Sequence, residues 1–361
     1  MTARLIPPQA KPHNSVVRVS SAWYVVALAS ELGKTPLAVT LLGAPLVVFR
    51  TKSGAPGALL DRCPHRNVPL SVGAVAGEHL RCAYHGWEFD RSGTCQVIPG
   101  LCGEVESERG KRATAYPAVE QDGWIWVWGA PEAAPSAPPF RFPEVDPKRY
   151  TAVRRTVSAR GTLHATLENA LDVPHTAFLH GGLFRTAQRK NRIRAIIRRY
   201  SDRAIAEYCD EPRPSGLVGR ILSPSGGVVV HFDRFFLPSI AQFEYSIGDE
   251  NHFLVTSACT PVSDFETRLF ALVQFRTRVP GLLLKPFLEP LARRIFAQDA
   301  KMLSMQSDTI QRFGGEQFES TEIDILGPHI YKLLKDAERG TVAPAEPSEA
   351  PSYEKEITFL A

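Results

Sequence analysis

Cys63-Pro64-His65 and, after sixteen intervening residues, Cys82-Ala83-Tyr84-His85 are the feature that most restricts what this chain can become. Each arm supplies one thiol and one imidazole. Two short arms folded against each other can therefore present the donors that a sulfide-bridged iron pair requires, two Cys on one iron and two His on the other. Replacing thiolates by imidazoles removes negative charge from one iron and raises its potential, which makes such a centre an acceptor of electrons. A structural zinc ion also accepts two Cys and two His, although zinc signatures usually keep the two ligand types in separate pairs, whereas here each arm mixes them.

A second group of donors lies in Glu168-Asn169-Ala170-Leu171-Asp172-Val173-Pro174-His175-Thr176-Ala177-Phe178-Leu179-His180. On an unbroken helix, residues five apart diverge by about 140°, too far for one small ion. Pro174 removes a backbone donor and disfavours helix at Val173, so a break there is expected to let both imidazoles reach one metal. Two His and one carboxylate on one face of a ferrous ion leave positions open for dioxygen. A one-electron carrier upstream would give such an ion its electrons.

The segments Asp61-Arg62-Cys63-Pro64-His65-Arg66 and Leu80-Arg81-Cys82-Ala83-Tyr84-His85-Gly86-Trp87-Glu88-Phe89-Asp90 resemble the Rieske proteins. Respiratory members of that family carry an extra Cys in each arm; Val68 and Tyr84 stand at those places here, so the chain resembles the oxygenase branch. The resemblance implies a [2Fe-2S] cluster on Cys63, His65, Cys82 and His85, and a mononuclear Fe(II) on His175, His180 and a distant Asp. Asp299 best matches that third ligand and Asp308 is the runner-up. Asp172 is implied to join a cluster His, His85, to an iron His, His175, across a subunit boundary, because family members assemble head to tail as trimers. A capping or salt-bridged Asp172 is the plainer alternative. Asn169 is implied to stand beside the iron, and an amide there also suits a helix cap. Cys95, Cys102, Cys209 and Cys259 have no ligand spacing and read as ordinary thiols.

With 361 residues, 44% of them hydrophobic, the chain can bury two cores. The residues divide into an N-terminal extension (1–20), an all-β cluster domain (21–130), a Pro-rich linker (131–148) with prolines at 131, 135, 138, 139, 143 and 147, a catalytic domain (149–338) and a tail (339–361) expected to be disordered. Alternating stretches near Gly227–Phe232, Ala241–Ile247, His252–Ser257 and Arg268–Phe275 predict strands, with Gly248-Asp249 marking a hairpin. The expected class is α+β: a Rieske domain followed by a helix-grip, START-like antiparallel sheet with the iron between helices.

A net charge of +4 gives no nucleic-acid footprint. Arg185, Arg189, Lys190, Arg192, Arg194, Arg198 and Arg199 form one basic run, read as a solvated face or a docking surface for an acidic electron donor. The N-terminal residues lack the apolar core of a signal peptide and no apolar run reaches spanning length, so a cytoplasmic location is expected. The apolar stretch Leu282–Phe296 has cationic edges and reads as packing near the active site, or as a surface resting on a membrane. The resemblance implies electrons from NAD(P)H, and because no nucleotide-binding fingerprint is present a separate ferredoxin or flavin reductase is expected to deliver them. The implied activity is that of a homotrimeric monooxygenase such as a ketosteroid hydroxylase or aromatic O-demethylase, hydroxylating or demethylating a hydrophobic, steroid-like or aromatic ring with dioxygen. A non-catalytic electron-transfer protein is the rival. Phe178, Leu179, Leu183, Phe184, Phe232, Phe235, Phe236 and Phe243 are candidate pocket lining.

Overall fold

The computed structural model describes residues 13–101, 110–180, 192–211, 229–248, 251–277, 281–341 and 350–360. The chain separates into two compact units, one made mainly of Arg18–Phe142 and one mainly of Pro143–Cys259 and Asp264–Ala361.

The first unit is all β. One antiparallel sheet has the order β1 (Trp23–Leu28), β11 (Trp124–Trp128), β10 (Ala118–Gln121); a second runs β2 (Leu37–Leu41), β3 (Ala44–Arg50), β4 (Pro56–Leu60), β9 (Ala115–Tyr116). The run Trp-Ile-Trp-Val-Trp of β11 is buried on both faces, which explains why it reads as continuously apolar rather than alternating. A third sheet, β5 (Ala74–Ala76), β6 (His79–Arg81), β7 (Glu88–Phe89), β8 (Cys95–Val97), carries the Cys/His arms. These arms rest on a core of Val47, Phe49, Leu59, Leu70, Leu80 and Phe89, each fully buried.

The second unit is built on an eight-stranded antiparallel sheet in the order β12 (Thr151–Ala159), β18 (Glu266–Arg276), β17 (Asn251–Ser263), β16 (Ile240–Ile247), β15 (Val229–Phe236), β14 (Arg203–Cys209), β13 (Arg192–Arg199), β19 (Tyr353–Leu360). Helices α1 (Leu163–Ala170), α2 (Thr176–Leu179), α3 (Gly281–Arg312) and α4 (Gly327–Glu338) complete it. The expected hairpin is present: β16 and β17 pair from Ile247↔Asn251 onward, and Gly248 takes φ +59°, a left-handed turn conformation natural to glycine.

One sequence expectation needs correction. The tail is not disordered throughout: residues 353–360 form β19, paired with β13 from Arg199↔Tyr353 to Arg192↔Leu360. Ile357 and Phe359 alternate with polar residues there, a period-2 pattern hidden by the Pro- and Glu-rich composition around it. The basic run is also a strand in its second half. In β13 the side chains of Ile193, Ala195 and Ile197 are buried, while Arg194 reaches Asp210 and Glu356 at 3.3 Å, and Arg198 reaches Glu354 at 2.7 Å and Glu207 at 2.9 Å. Those arginines are engaged within the sheet surface, each partly exposed pair contributing at most about 1 kcal/mol. Arg185, Arg189 and Lys190 lie outside the described residues, as do Cys102, Leu183 and Phe184.

The Leu282–Phe296 stretch falls inside α3, which accommodates Pro286 and Pro290. Glu289 of this helix bonds Arg155 of β12 at 3.0 Å and Arg293 one turn on at 2.8 Å. Among the described residues no helix is long and apolar enough to cross a membrane.

Candidate metal centres

The two Cys/His arms share one backbone device. In the first, the Cys63 N–H donates to Val68 O at 2.9 Å and Asn67 N–H to Cys63 O at 2.9 Å; in the second, Cys82 N–H donates to Trp87 O at 2.8 Å and Gly86 N–H to Cys82 O at 3.1 Å. The residue four after each Cys is left-handed, Asn67 at φ +62° and Gly86 at φ +70°. Asn and Gly are the residues that tolerate this region, so the two loops close in the same way and present their donors to one another. Cys63 and Cys82 are buried free thiols. Burial pushes the Cys63 thiol up to about 11, and the neighbouring Cys82 thiol adds to the effect. The rings of His65 and His85 stand 4.6 Å apart, and Trp87 stacks on His65 at 4.6 Å with an interplanar angle of 5°. Burial and the proximity of His85 lower the pKa of His65, which favours the neutral imidazole that a metal needs.

The residues fit a cluster. His65 Nδ1 is buried without a hydrogen-bond partner, and the Cys63 thiol, raised by burial, keeps its proton unless a metal takes the proton's place. A second group of donors, His175, His180 and Asp299, has its ligand atoms within 4.8 Å of one another.

The His175/His180/Asp299 group is built from three elements. Thr162 caps α1, its Oγ1 accepting from Ala165 N–H at 3.1 Å, and α1 stops at Ala170. The break at Val173-Pro174 occurs, but it precedes both imidazoles. What brings the rings together is that His175 and His180 flank the single-turn helix α2, His175 in helical conformation and His180 leaving it at φ −107°, ψ 30°. Their Nε2 atoms come to 3.3 Å. Asp299, in α3, places Oδ1 at 3.1 Å from His180 Nε2 and 3.6 Å from His175 Nε2. That oxygen is buried and makes no hydrogen bond. Three donors converging on one point, one of them an orphaned carboxylate oxygen, fit a divalent cation with N and O ligands.

The atoms behind these donors are arranged to orient them. His175 Nδ1 lies 3.2 Å from Asp172 Oδ2, and His180 Nδ1 lies 3.0 Å from Gln298 Oε1. Each ring thereby offers Nε2 inward. Asn169 hydrogen-bonds the Asp299 carboxyl. Burial pulls the pKa of His175 down, and the carboxylates of Asp172 and Asp299 more than reverse this, holding it above the usual imidazole value. Asp308 is elsewhere, 2.7 Å from Arg160 Nη2 with both side chains more than half exposed. Gln298 is the residue that sequence reasoning missed; its position next to Asp299 was the available signal.

Glu168, Asn169 and Asp172 also line a cavity of about 390 Å3 with Met302, Leu303, Gln306 and Asp324. Burial, reinforced by the charges of Asp172 and Asp324, pushes the Glu168 carboxyl up to about 7 from 4.5. Because the folded state binds this proton more tightly than the unfolded one, the contribution is favourable below pH 4.5 and becomes a penalty as pH rises through 7. Glu168→Gln is therefore expected to stabilise the protein by about 2 kcal/mol at pH 8, after a discount for partial exposure, and by less than about 0.5 kcal/mol at pH 5. Urea unfolding at the two pH values measures the difference.

Two units, one presenting paired Cys/His arms and the other a group of two His and one carboxylate, define a protein built to hold two metal centres. The model of the Rieske [2Fe-2S] domain matches residues 22–107, and that of the vanillate O-demethylase oxygenase C-terminal domain matches residues 160–338. The chain belongs to the Rieske non-haem iron oxygenases. It is 40% identical over 168 residues to the oxygenase component of dicamba O-demethylase from Stenotrophomonas maltophilia, covering 45% of this chain and 48% of that one. To the oxygenase subunit of 3-chlorobenzoate-3,4-dioxygenase from Comamonas testosteroni it is 36% identical over 166 residues, covering 45% and 38%. The alignments thus span about half or less of these curated relatives. The crystal structure of dicamba monooxygenase bound to dicamba superposes with a TM-score of 0.76 at 24% identity, over 90% of this chain and 98% of that one, which establishes the shared fold.

Proposed function

We propose that the chain is the oxygenase component of a system that takes electrons from a separate NAD(P)H-dependent ferredoxin or flavin reductase and uses dioxygen to hydroxylate or demethylate a hydrophobic ring compound. The observation that carries this reading is the convergence of His175, His180 and Asp299 in a chain that also brings together Cys63, His65, Cys82 and His85. When bound, the iron pair supplies one-electron reduction and the lone ferrous ion supplies open positions for dioxygen.

In this reading Cys63 and Cys82 hold one iron of the pair and His65 and His85 the other. His175, His180 and Asp299 hold the lone ion, oriented by Asp172, Gln298 and Asn169. Exposed Tyr84 and His85 sit at the tip of their loop, where a second copy of the chain can be met, and Asp172 is the carboxylate that would receive His85 of that copy. A head-to-tail homotrimer in the cytoplasm completes the proposal; sedimentation of the loaded protein tests the trimer. Relatives named for dicamba and 3-chlorobenzoate favour an aromatic ring over a steroid.

Protein purified anaerobically is expected to be coloured and to contain acid-labile sulfide, and to consume oxygen in step with product when reduced with a panel of aryl ethers and sterols. A zinc-stabilised binding module gives colourless protein, and a plain electron carrier gives a cluster without the additional iron. Asp172→Asn is expected to keep both metals while slowing oxygen-coupled turnover by ~10- to 100-fold, the usual cost of losing a carboxylate that orients a ligating imidazole. Stopped-flow reoxidation of the reduced cluster reads this directly.

A further inference from the structure

His231, Asp233 and Glu211 form a buried charged cluster that the metal centres do not use. Strand register places it. Tyr208, His231 and Tyr245 stand opposite one another across β14, β15 and β16, as do Ala206, Asp233 and Phe243, so all six side chains share one face. The same face continues through Phe235 and Ala204 to Arg199 and Tyr353. There His329 of α4 meets both, at 3.2 Å from Arg199 and with its ring 4.7 Å from that of Tyr353. His164 of α1 lies 3.1 Å from Gly327 O at the start of α4, so α1 and α4 meet each other beside this end of the face. The other aromatic candidates, Phe232 and Phe236, alternate onto the opposite face and cannot line the same wall, and Phe178 is 79% exposed.

Both imidazole nitrogens of His231 face carboxylates, Nδ1 at 2.8 Å from Glu211 Oε2 and Nε2 at 3.2 Å from Asp233 Oδ1. Tyr208 stacks on the ring at 4.3 Å and Tyr245 meets it edge-on. His231 is thus fixed as a doubly protonated donor whose two N–H groups are already used. Asp233 is 2% exposed, and its second oxygen, Oδ2, accepts no hydrogen bond. On the neighbouring strand, directly opposite, Phe243 keeps 37% of its surface open. A buried acceptor without a donor costs about 1–3 kcal/mol, and a site holding such a group discriminates strongly between ligands that satisfy it and ligands that do not.

We propose that Asp233 is the polar anchor of a ring-binding site on this face of the catalytic sheet, selecting compounds that carry a hydrogen-bond donor, an amine or hydroxyl group, and disfavouring carboxylates. The inference rests on the oxygenase reading above. A carboxylate such as that of 3-chlorobenzoate brings a like charge toward an oxygen that needs a proton donor. An ammonium or hydroxyl group satisfies it once Phe243 turns aside.

Calorimetric titration of the metal-loaded protein with 4-methoxybenzylamine, 4-methoxybenzyl alcohol and 4-methoxybenzoate tests the proposal. The amine and alcohol are expected to bind at least about tenfold tighter than the benzoate, and Asp233→Asn to reduce that ratio by about tenfold or more. A benzoate that binds as tightly as the alcohol, a failure of all three to bind, or an unchanged ratio in folded Asp233→Asn overturns it. If the variant does not fold, the ranking in the unaltered protein decides. Iron content and oxygen consumption of the same preparation test the oxygenase reading separately. Protein that ranks the three probes as expected but lacks the lone iron loses that reading and keeps the role of Asp233.

Discussion

His175→Ala is expected to remove the lone iron, leave the visible spectrum of the cluster unchanged and reduce oxygen-coupled turnover by ~10³-fold or more. The geometry argues for so large and so local an effect. In the proposed site His175 is one of three donors that converge among the described residues, and with His180 and Asp299 alone an ion would lose the three-point attachment that fixes which positions face dioxygen. The side chain makes no capping hydrogen bond to α2 and is 21% exposed, so its truncation leaves the surrounding fold intact and the melting temperature nearly unchanged. Asp308→Ala is the matched control. Its carboxylate pairs with Arg160 on the surface, where an ion pair contributes about 0–1 kcal/mol, and turnover should stay within about twofold of the parent. Iron quantitation beside acid-labile sulfide separates the outcomes. Full turnover in His175→Ala removes the assignment of this residue as a ligand.

The contrast between Asp299 and Asp308 also shows what the sequence could and could not convey. Nine residues apart on one helix, the two carboxylates point about 180° away from each other, so only one can face the imidazoles. Spacing alone says that a choice must be made; the packing of α3 makes it, bringing Asp299 to His180 and turning Asp308 to Arg160. The cluster arms were legible because their chemistry is local: the donors, and the left-handed Asn67 and Gly86 that close each loop, lie within a few residues of one another. The central strands were legible for the same reason, since their alternation is uninterrupted. β13 and β19 were not, because arginines and glutamates dominate their outward faces and mask the buried Ile and Phe that alternate with them. Gln298 and Glu168 acquire their significance from partners distant in sequence, His180 in one case and the Asp172 and Asp324 charges in the other, and no short-range pattern encodes such meetings. The pocket was half-read: a list of aromatic residues cannot say which side of a strand each occupies until register is fixed, and register sends Phe232 and Phe235 to opposite faces.

Cys82→Ala is expected to abolish the cluster and, with it, much of the stability of the first unit, while the lone iron stays in the second. Cys82 is buried, and its loop is closed by the Trp87 and Gly86 hydrogen bonds already described, above the β6–β7 pairing. The residues that follow, Ala83, Tyr84 and His85, are exposed and bury little apolar area of their own. A cluster held by both arms would add to the core packing and the stacking of Trp87 on His65, and in such a site the free energy of metal binding is also free energy of folding. Removing one thiolate leaves Cys63 as a buried thiol, with a pKa that burial raises, facing an alanine, and leaves His65 Nδ1 without a partner. The expected result is colourless protein with no acid-labile sulfide, a fall of several kcal/mol in the stability of the first unit, and oxygen-coupled turnover at background because no electrons arrive. Iron analysis should still find the lone ion, since His175, His180 and Asp299 all belong to the other unit. Two-phase unfolding, with only the earlier transition displaced, is the signature that the two centres are built independently. A cluster retained in Cys82→Ala, or loss of both metals together, contradicts this division of labour.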